Sequence, residues 1–479
     1  MTDRSTITPH CSASTPVHDL RWRGAKGHRT VPVDVFHSAA RRSVRTAIAL
    51  ILYWVVQFGP SAEANHPEVP GAAQDHPIAL VGAAIHPVTG PVIRHGTLLM
   101  VDGKIAAVGA RVKIPKTAER IDVRGKHVYP GWIHARTDLG LTEIGAVRAS
   151  IDRAEVGQLN PNVKAQVAFH PDSELIPVAR ANGVLMVHTV PSGGLISGRS
   201  ALMLLDGWTW EDMTLRAPVG MHVRWPRMNR LTADRGSRGG SSRGRPLERL
   251  EGAFRDARAY RSARRADPRQ PVDARWEAMI PVLEGKVPLM VHADDESSIR
   301  SAVAFAARQR VRLIIVGGHD APACAELLRR EKVPVIVAGT YRLPRRRDEP
   351  YDVCYRLPAR LLQAKVEFCI AGGGRFNASN ARNLPYDAAA AVAYGLPREE
   401  AIKAITIRPA RILGVADRVG SLEPGKDATL IVCDGDPLEI TTHVERAWIQ
   451  GRQVDLNSRH KRLWRKYREK YRRLQLIKE

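Results

Sequence analysis

Imidazole, guanidinium and carboxylate groups in this 479-residue chain gather just after short apolar runs. His134, Arg136, Asp138 and Glu143 follow one run, His188 a second, and His292, Asp294, Asp295 and Glu296 a third. His319 and Asp320 follow a fourth, and Arg345, Arg346, Arg347, Asp348, Tyr351 and Asp352 a fifth. Arg375, Asn377, Asn380, Arg382, Asn383 and Tyr386 follow the last. Guanidiniums in this number can hold a carboxylate or phosphate by paired charged hydrogen bonds. Histidines and aspartates can activate water, given at least three convergent ligands if a metal is to do it. The Ser192-Gly193-Gly194 turn after His188 can present backbone N–H groups to an anion, although one glycine-rich turn is a weak sign.

The elements that would position these residues alternate. Gly183 to Val190, Val287 to His292, Arg312 to Val316, Val333 to Val337 and Val366 to Ala371 read as buried strands. Leu247 to Ala266, Glu296 to Arg310, Pro322 to Glu331, Tyr386 to Tyr394 and Pro397 to Ile405 read as helices. Alternation from Gly131 to Leu413 suits a parallel α/β barrel, whose chemistry sits at the carboxyl ends of its strands. Two outlying segments read differently. Val101 to Gly109 is a hairpin pattern with an Asp-Gly turn, and Leu413 to Leu438 reads as a helix end, a tight turn and a short strand.

As strings, Leu413 to Leu438, Val101 to Gly109 and Ile121 to Gly131 resemble the amidohydrolase superfamily, in its imidazolonepropionase-like branch. The resemblance covers residues 78 to 455. It implies an α/β fold: a TIM-like (β/α)8 barrel over 131–413 and a small composite β-sandwich from 78–130 and 414–455. It implies hydrolysis of a C–N bond with a divalent metal, zinc first. It also locates departures. Arg136 and Asp138 stand where the family's first strand carries two histidines, and an always-charged guanidinium repels a metal. His292 matches the fifth-strand histidine, His319 lies about two residues late, and glycine stands where an eighth-strand aspartate is expected. The implied roles are catalytic for Asp138, Arg136 and Asp294, and substrate-binding for Arg136, Arg345, Arg382 and Asn383. Metal binding falls to His292, Asp138, His188 and His319. The leading expectation is a hydrolase of a small anionic or amide substrate with an atypical or single metal; the alternative is a silent barrel that binds an anionic ligand.

Five cysteines without C-x-x-C spacing suggest no disulfide framework, and Cys369 and Cys433 lie within apolar runs. The net charge of +24 is concentrated in two places. Residues 224 to 275 hold fifteen arginines against six acids around a basic, low-complexity insertion at 229–246, read as a solvated loop for want of interleaved aromatics. The tail, 457–479, reads as a basic helix whose Trp464, Tyr467, Tyr471 and Leu474 repeat at helical spacing. Packing of that stripe on the barrel is the expectation, with a membrane-surface or nucleic-acid helix as the alternative. No specific nucleic acid partner is expected, and a homo-oligomer stays open. Residues 1–64 read as an export segment: Arg41 to Arg45 give a basic flank, Ala47 to Val56 ten apolar residues, and Ala62-Glu63-Ala64 a cleavage site. Ten residues are half of what a bilayer span needs, so no stable span is expected after its removal. N-terminal sequencing of the mature protein should begin at or near Asn65; a mature form keeping residues 40–60 would refute export.

Overall fold

The computed structural model describes residues 68–226, 244–374 and 376–477. The expected export segment, most of the basic insertion, and Arg375 lie outside the described residues. The chain begins with a meander of β1 (Ile78–Ile85), β2 (Ile93–Val101) and β3 (Lys104–Gly109). Its β2–β3 turn is Asp102-Gly103, both at positive φ (49° and 74°), a conformation that glycine and aspartate tolerate and that suits strand twist. β4 (Glu119–Asp122) and β5 (His127–Pro130) then run parallel to β1.

Two sheets carry the middle of the chain. β6 (Trp132–Thr137) and β7 (Val184–Thr189) are parallel. β8 (Ile196–Arg199) joins the second sheet, whereas β9 (Ala201–Leu204) and β10 (Thr214–Arg216) extend the first in the order β10-β9-β7-β6. β11 (Met221–Arg224), β12 (Leu289–Ala293), β13 (Leu313–Gly317), β14 (Val335–Ala338) and β15 (Phe368–Ala371) are parallel neighbours in sequence order, with β8 antiparallel at the edge. Their aliphatic runs are buried, as in parallel sheets covered on both faces.

Helices fill the crossovers. α1 (Leu175–Arg180) leads into β7, and α2 (Trp210–Met213) is a single turn before β10. α3 (Gly244–Ala266) and α4 (Ala274–Leu283) precede β12, α5 (Glu296–Gln309) precedes β13, α6 (Ala325–Arg330) precedes β14, and α7 (Val353–Gln363) precedes β15. α5 shows why such segments form. The Asp295 carboxylate caps its N-terminus by accepting from Ser298 N at 3.0 Å, and Ile299, Ala302, Val303, Phe305 and Ala306 bury one face. After β15 come α8 (Leu384–Ala393), α9 (Arg398–Ala404) and α10 (Ile407–Ile412).

The chain then returns to its first sheet as β16 (Leu430–Cys433), β17 (Val444–Ile449) and β18 (Arg452–Gln453), and ends in α11 (Arg459–Arg473). β16 pairs antiparallel with β5, so both flanking segments share one eight-stranded sheet. Ile105 N donates to Lys426 O at 2.9 Å and Ala428 N to Gly103 O at 2.8 Å, sewing the hairpin to the returning chain. Leu80, Ile85, Leu98, Met100, Val128, Leu430 and Trp448 form this sheet's own core, separate from the core beneath the parallel strands.

A buried ion cluster ties α1, the chain after β9 and β18 together. Asp206 is fully enclosed and pairs with Arg180 at 3.2 Å and Arg452 at 3.1 Å, while Arg180 also donates to Leu205 O. Removing Asp206 takes the carboxylate from two guanidiniums at once, which costs about 3–5 kcal/mol. Asp206→Ala should therefore lower the unfolding free energy by about that much in chemical denaturation, and Arg180→Met with Asp206→Leu should recover most of it. A near-neutral Asp206→Ala would show that Arg180 and Arg452 find water instead.

Candidate functional site

The ends of β6, β11 and β12 and the turns beside them enclose a cavity of about 440 Å³. Its polar lining is Arg136, Thr137, Asp138, Arg153, Ser192, Ser197, Arg224, His292 and Asn377. The alternation of side chains along a strand explains the convergence. Arg136 and Asp138 are two apart at the end of β6, and Arg224 lies opposite His292 in the β11–β12 register. Asn377, in the loop after β15, donates from Nδ2 to Arg136 O at 3.0 Å and so fixes the end of β6. Ser192 N donates to Arg153 O at 2.7 Å, bringing Arg153 over the cavity, where its guanidinium meets Asp138 Oδ2 at 2.9 Å. Thr142 Oγ1 donates to the same oxygen at 3.3 Å. Among the described residues, Asp138 Oδ1 and Asn377 Oδ1 are buried acceptors with no hydrogen-bond partner.

Four imidazoles gather here, and one of them, His292, lines the cavity. His222 Nδ1 and His292 Nε2 are 3.0 Å apart, so one donates to the other. His188 packs on His222 at 5.6 Å between ring centres. Its Nδ1 donates to Ala135 O and its Nε2 accepts from Ser200 Oγ, both at 2.7 Å. His134 accepts from Gly372 N at 3.2 Å through Nε2. Gly372 has no room for more: a Cβ there would stand 2.6 Å from His134 Nε2. Burial, then the charge of Arg136, pushes His134 and His292 down to about 3. Burial lowers His188 to about 4, with Arg136 contributing, and sends His222 well below its usual range. All four are neutral at pH 7.

The sequence expectations divide. Arg136, Asp138 and His292 meet in this cavity. His188 stands under it with both ring nitrogens engaged, so it would have to surrender the Ser200 hydroxyl to reach a metal. His319 stands apart from the cavity lining. It faces Glu349 Oε1 at 2.9 Å and Cys354 Sγ at 3.7 Å, and it holds the turn at 345–349 against the end of β13. Asp294 is also outside the cavity lining, because Arg345 takes its carboxylate at 2.9 Å. Arg382 and Asn383 line a different cavity, of about 840 Å³, with Asn182, Tyr386, His460 and Lys461. Sequence reasoning missed His222, Arg224 and Arg153. The first two sit on a four-residue strand, Met221–Arg224, whose i, i+2 spacing was the available signal. Arg153 reaches the cavity only through tertiary pairing.

A metal does not fit this donor set. His292 and Asp138 are already bonded to His222 and Arg153, and three guanidiniums line the wall. Among the described residues, three ligand atoms approach one another only at His319, Asp320 and Glu349, away from the cavity. There Arg346 is paired with both acids, at 2.7 and 2.6 Å. Burial opposes ionisation of Glu349, but His319 and the N–H groups of Arg345 and Arg346 outweigh it and bring its carboxyl to about 2.

The neutral imidazoles set a pH dependence. Unfolded histidine takes up a proton near 6.5, whereas His134, His188 and His292 do so only near 3 to 4 in the folded chain. Between those values the unfolded state binds more protons, so stability is full above pH 6.5 and falls as pH drops towards 4. Each group contributes up to about 1.4 kcal/mol per pH unit. The melting temperature should be flat above pH 7 and fall below pH 6, less steeply in His134→Gln; equal slopes in the two proteins would remove His134 from this account.

The family described as the amidohydrolase family matches residues 286–456. Among curated proteins, the chain is 22% identical over 418 residues to the amidohydrolase tasK of Hapsidospora irregularis, covering 80% of this chain and 41% of that protein. It is 24% identical over 390 residues to an imidazolonepropionase of Brucella anthropi, covering 74% and 90%. It is 33% identical over 87 residues to a deacetylase of Agrobacterium fabrum, covering 16% and 21%. The chain thus spans less than half the length of tasK and of the deacetylase. A solved amidohydrolase from Thermotoga maritima superposes with a TM-score of 0.72 at 28% identity, over 79% of this chain and 99% of that one. The chain is similar to proteins of the amidohydrolase superfamily, with imidazolonepropionase and deacetylase relatives at low identity.

Proposed function

We propose that this chain is an amidohydrolase-like (β/α)8 barrel whose mouth binds a small molecule carrying an anionic group and an N–H donor. In this reading Arg136, Asp138 and the glycines after β15 stand at the family's metal-ligand positions. One observation carries it. The cavity sets three guanidiniums, from Arg136, Arg153 and Arg224, beside two buried acceptors, Asp138 Oδ1 and Asn377 Oδ1, that have no partner among the described residues. Guanidiniums on one side select a carboxylate or phosphate, and orphaned buried acceptors favour a ligand that donates to them. An N-acylated amino acid or a short peptide has both features.

Hydrolysis of the C–N bond is a second reading, supported by the relatives' names and by Asp138, the one carboxylate lining the cavity among the described residues. A water between Asp138 and the ligand carbonyl would give its proton to Oδ1 as oxygen attacks carbon. Arg136 would face the developing oxyanion, and the amine would leave with that proton. No step in this sequence uses a metal.

The test is calorimetric titration with N-acyl amino acids beside their uncharged amides, with metal content and product release measured on the same protein. Ligands bearing the carboxylate should bind, and Arg136→Gln should weaken them by about 10- to 100-fold, the worth of one charged pair. Product release that Asp138→Asn abolishes while binding survives would establish the hydrolase reading. Tight metal at one or more per chain, with His292→Ala releasing it, would overturn both readings as written.

A further inference from the structure

α11 has no buried residue, although its apolar side chains are of the kind that pack on a protein's own body. Leu463, Trp464, Tyr467, Tyr471 and Leu474 are between 40% and 60% exposed. At about 100° per residue these five fall within an arc of about 100° on the helix. The helix carries nine Lys and Arg against one acid, Glu469, and every one of the nine lies outside that arc. Lys470 and Arg468 border it on either side, with Arg468 also standing 5.2 Å over the Trp464 ring. Among the described residues the helix is held at its start. Ser458 caps it through Lys461 N at 3.3 Å, His460 meets Arg382, Arg462 pairs with Glu174 at 2.9 Å, and Arg465 donates to Asn457 Oδ1 at 2.7 Å. Beyond that turn the stripe faces outward.

We infer that α11 docks on an anionic lipid surface, the Trp–Tyr–Leu stripe entering the headgroup boundary and the flanking Lys and Arg reaching the lipid phosphates. Trp and Tyr suit that depth, since each has an apolar body and a polar tip. The helix cannot span: among the described residues no helix is long and apolar enough to cross a membrane. Two other partners fit worse. A nucleic acid duplex would engage the broad cationic face and leave the apolar stripe in water. A second copy would bring two helices, each with nine cations, side by side.

The experiment is co-sedimentation of the full chain with vesicles of phosphatidylcholine containing about one third phosphatidylglycerol, beside phosphatidylcholine alone. The mixed vesicles should bind at least about tenfold more tightly. Trp464→Ser with Tyr467→Ser and Tyr471→Ser should lose about tenfold or more with an unchanged melting temperature, because these residues are exposed. Lys466→Glu with Lys470→Glu should abolish the preference for anionic lipid. Equal binding to both vesicles, or undiminished binding by the triple variant, overturns the inference. So does failure to bind vesicles in a protein that binds a DNA duplex, or that self-associates until the stripe is removed.

Discussion

The site depends on one fixed positive charge. A guanidinium cannot shed its proton, and Arg136 stands at the end of β6 near three buried imidazoles and His292 of the cavity wall. Its field adds to burial in disfavouring a proton on His134, His188, His222 and His292. A neutral imidazole donates from one nitrogen and accepts at the other, and the hydrogen bonds found here need that asymmetry. His188 gives Nδ1–H to Ala135 O and takes the Ser200 hydroxyl at Nε2, while His134 takes the Gly372 N–H. Protonating His134 Nε2 would set a donor against the Gly372 N–H, and protonating His188 Nε2 would turn the Ser200 hydroxyl from donor to acceptor.

The strand that ends in Arg136 is placed by the returning C-terminal part of the fold. Gly131 N donates to Thr429 O at 3.1 Å, and Ile133 N to Ile405 O at 2.9 Å. The eight-stranded sheet, assembled from segments some 300 residues apart, therefore sets the height of β6, and through it the level at which Arg136 and Asp138 meet His292. Asn377 adds a third tie from the loop after β15. A rigid scaffold of this kind suits a cavity whose charged groups already face each other, because little reorganisation is left for a ligand to drive.

Much of this was legible because strand ends are. Apolar runs followed by polar residues marked β7, β12, β13, β14 and β15, and alternation alone put Arg136 and Asp138 on one side. What escaped was decided by partners distant in sequence. Nothing local to His319 says that Glu349 will fold back to it, or local to Asp294 that Arg345 will claim its carboxylate. Arg382 shares a loop with Asn377 yet faces another cavity, since a few residues of loop can turn through any angle. The stripe of α11 has the period of a buried face, which suggests self-packing; periodicity says which residues share a side, and only the tertiary path says whether anything lies against it.

The contact between Gly372 and His134 constrains how this lineage can change. An acidic side chain at the end of β15 would need the volume that the His134 ring now fills. Substituting Gly372 first drives a Cβ into that ring; shrinking His134 first strips the Gly372 N–H of its acceptor. Each single change costs the protein a contact, so the two positions are coupled, and a larger residue at 372 calls for a smaller one at 134.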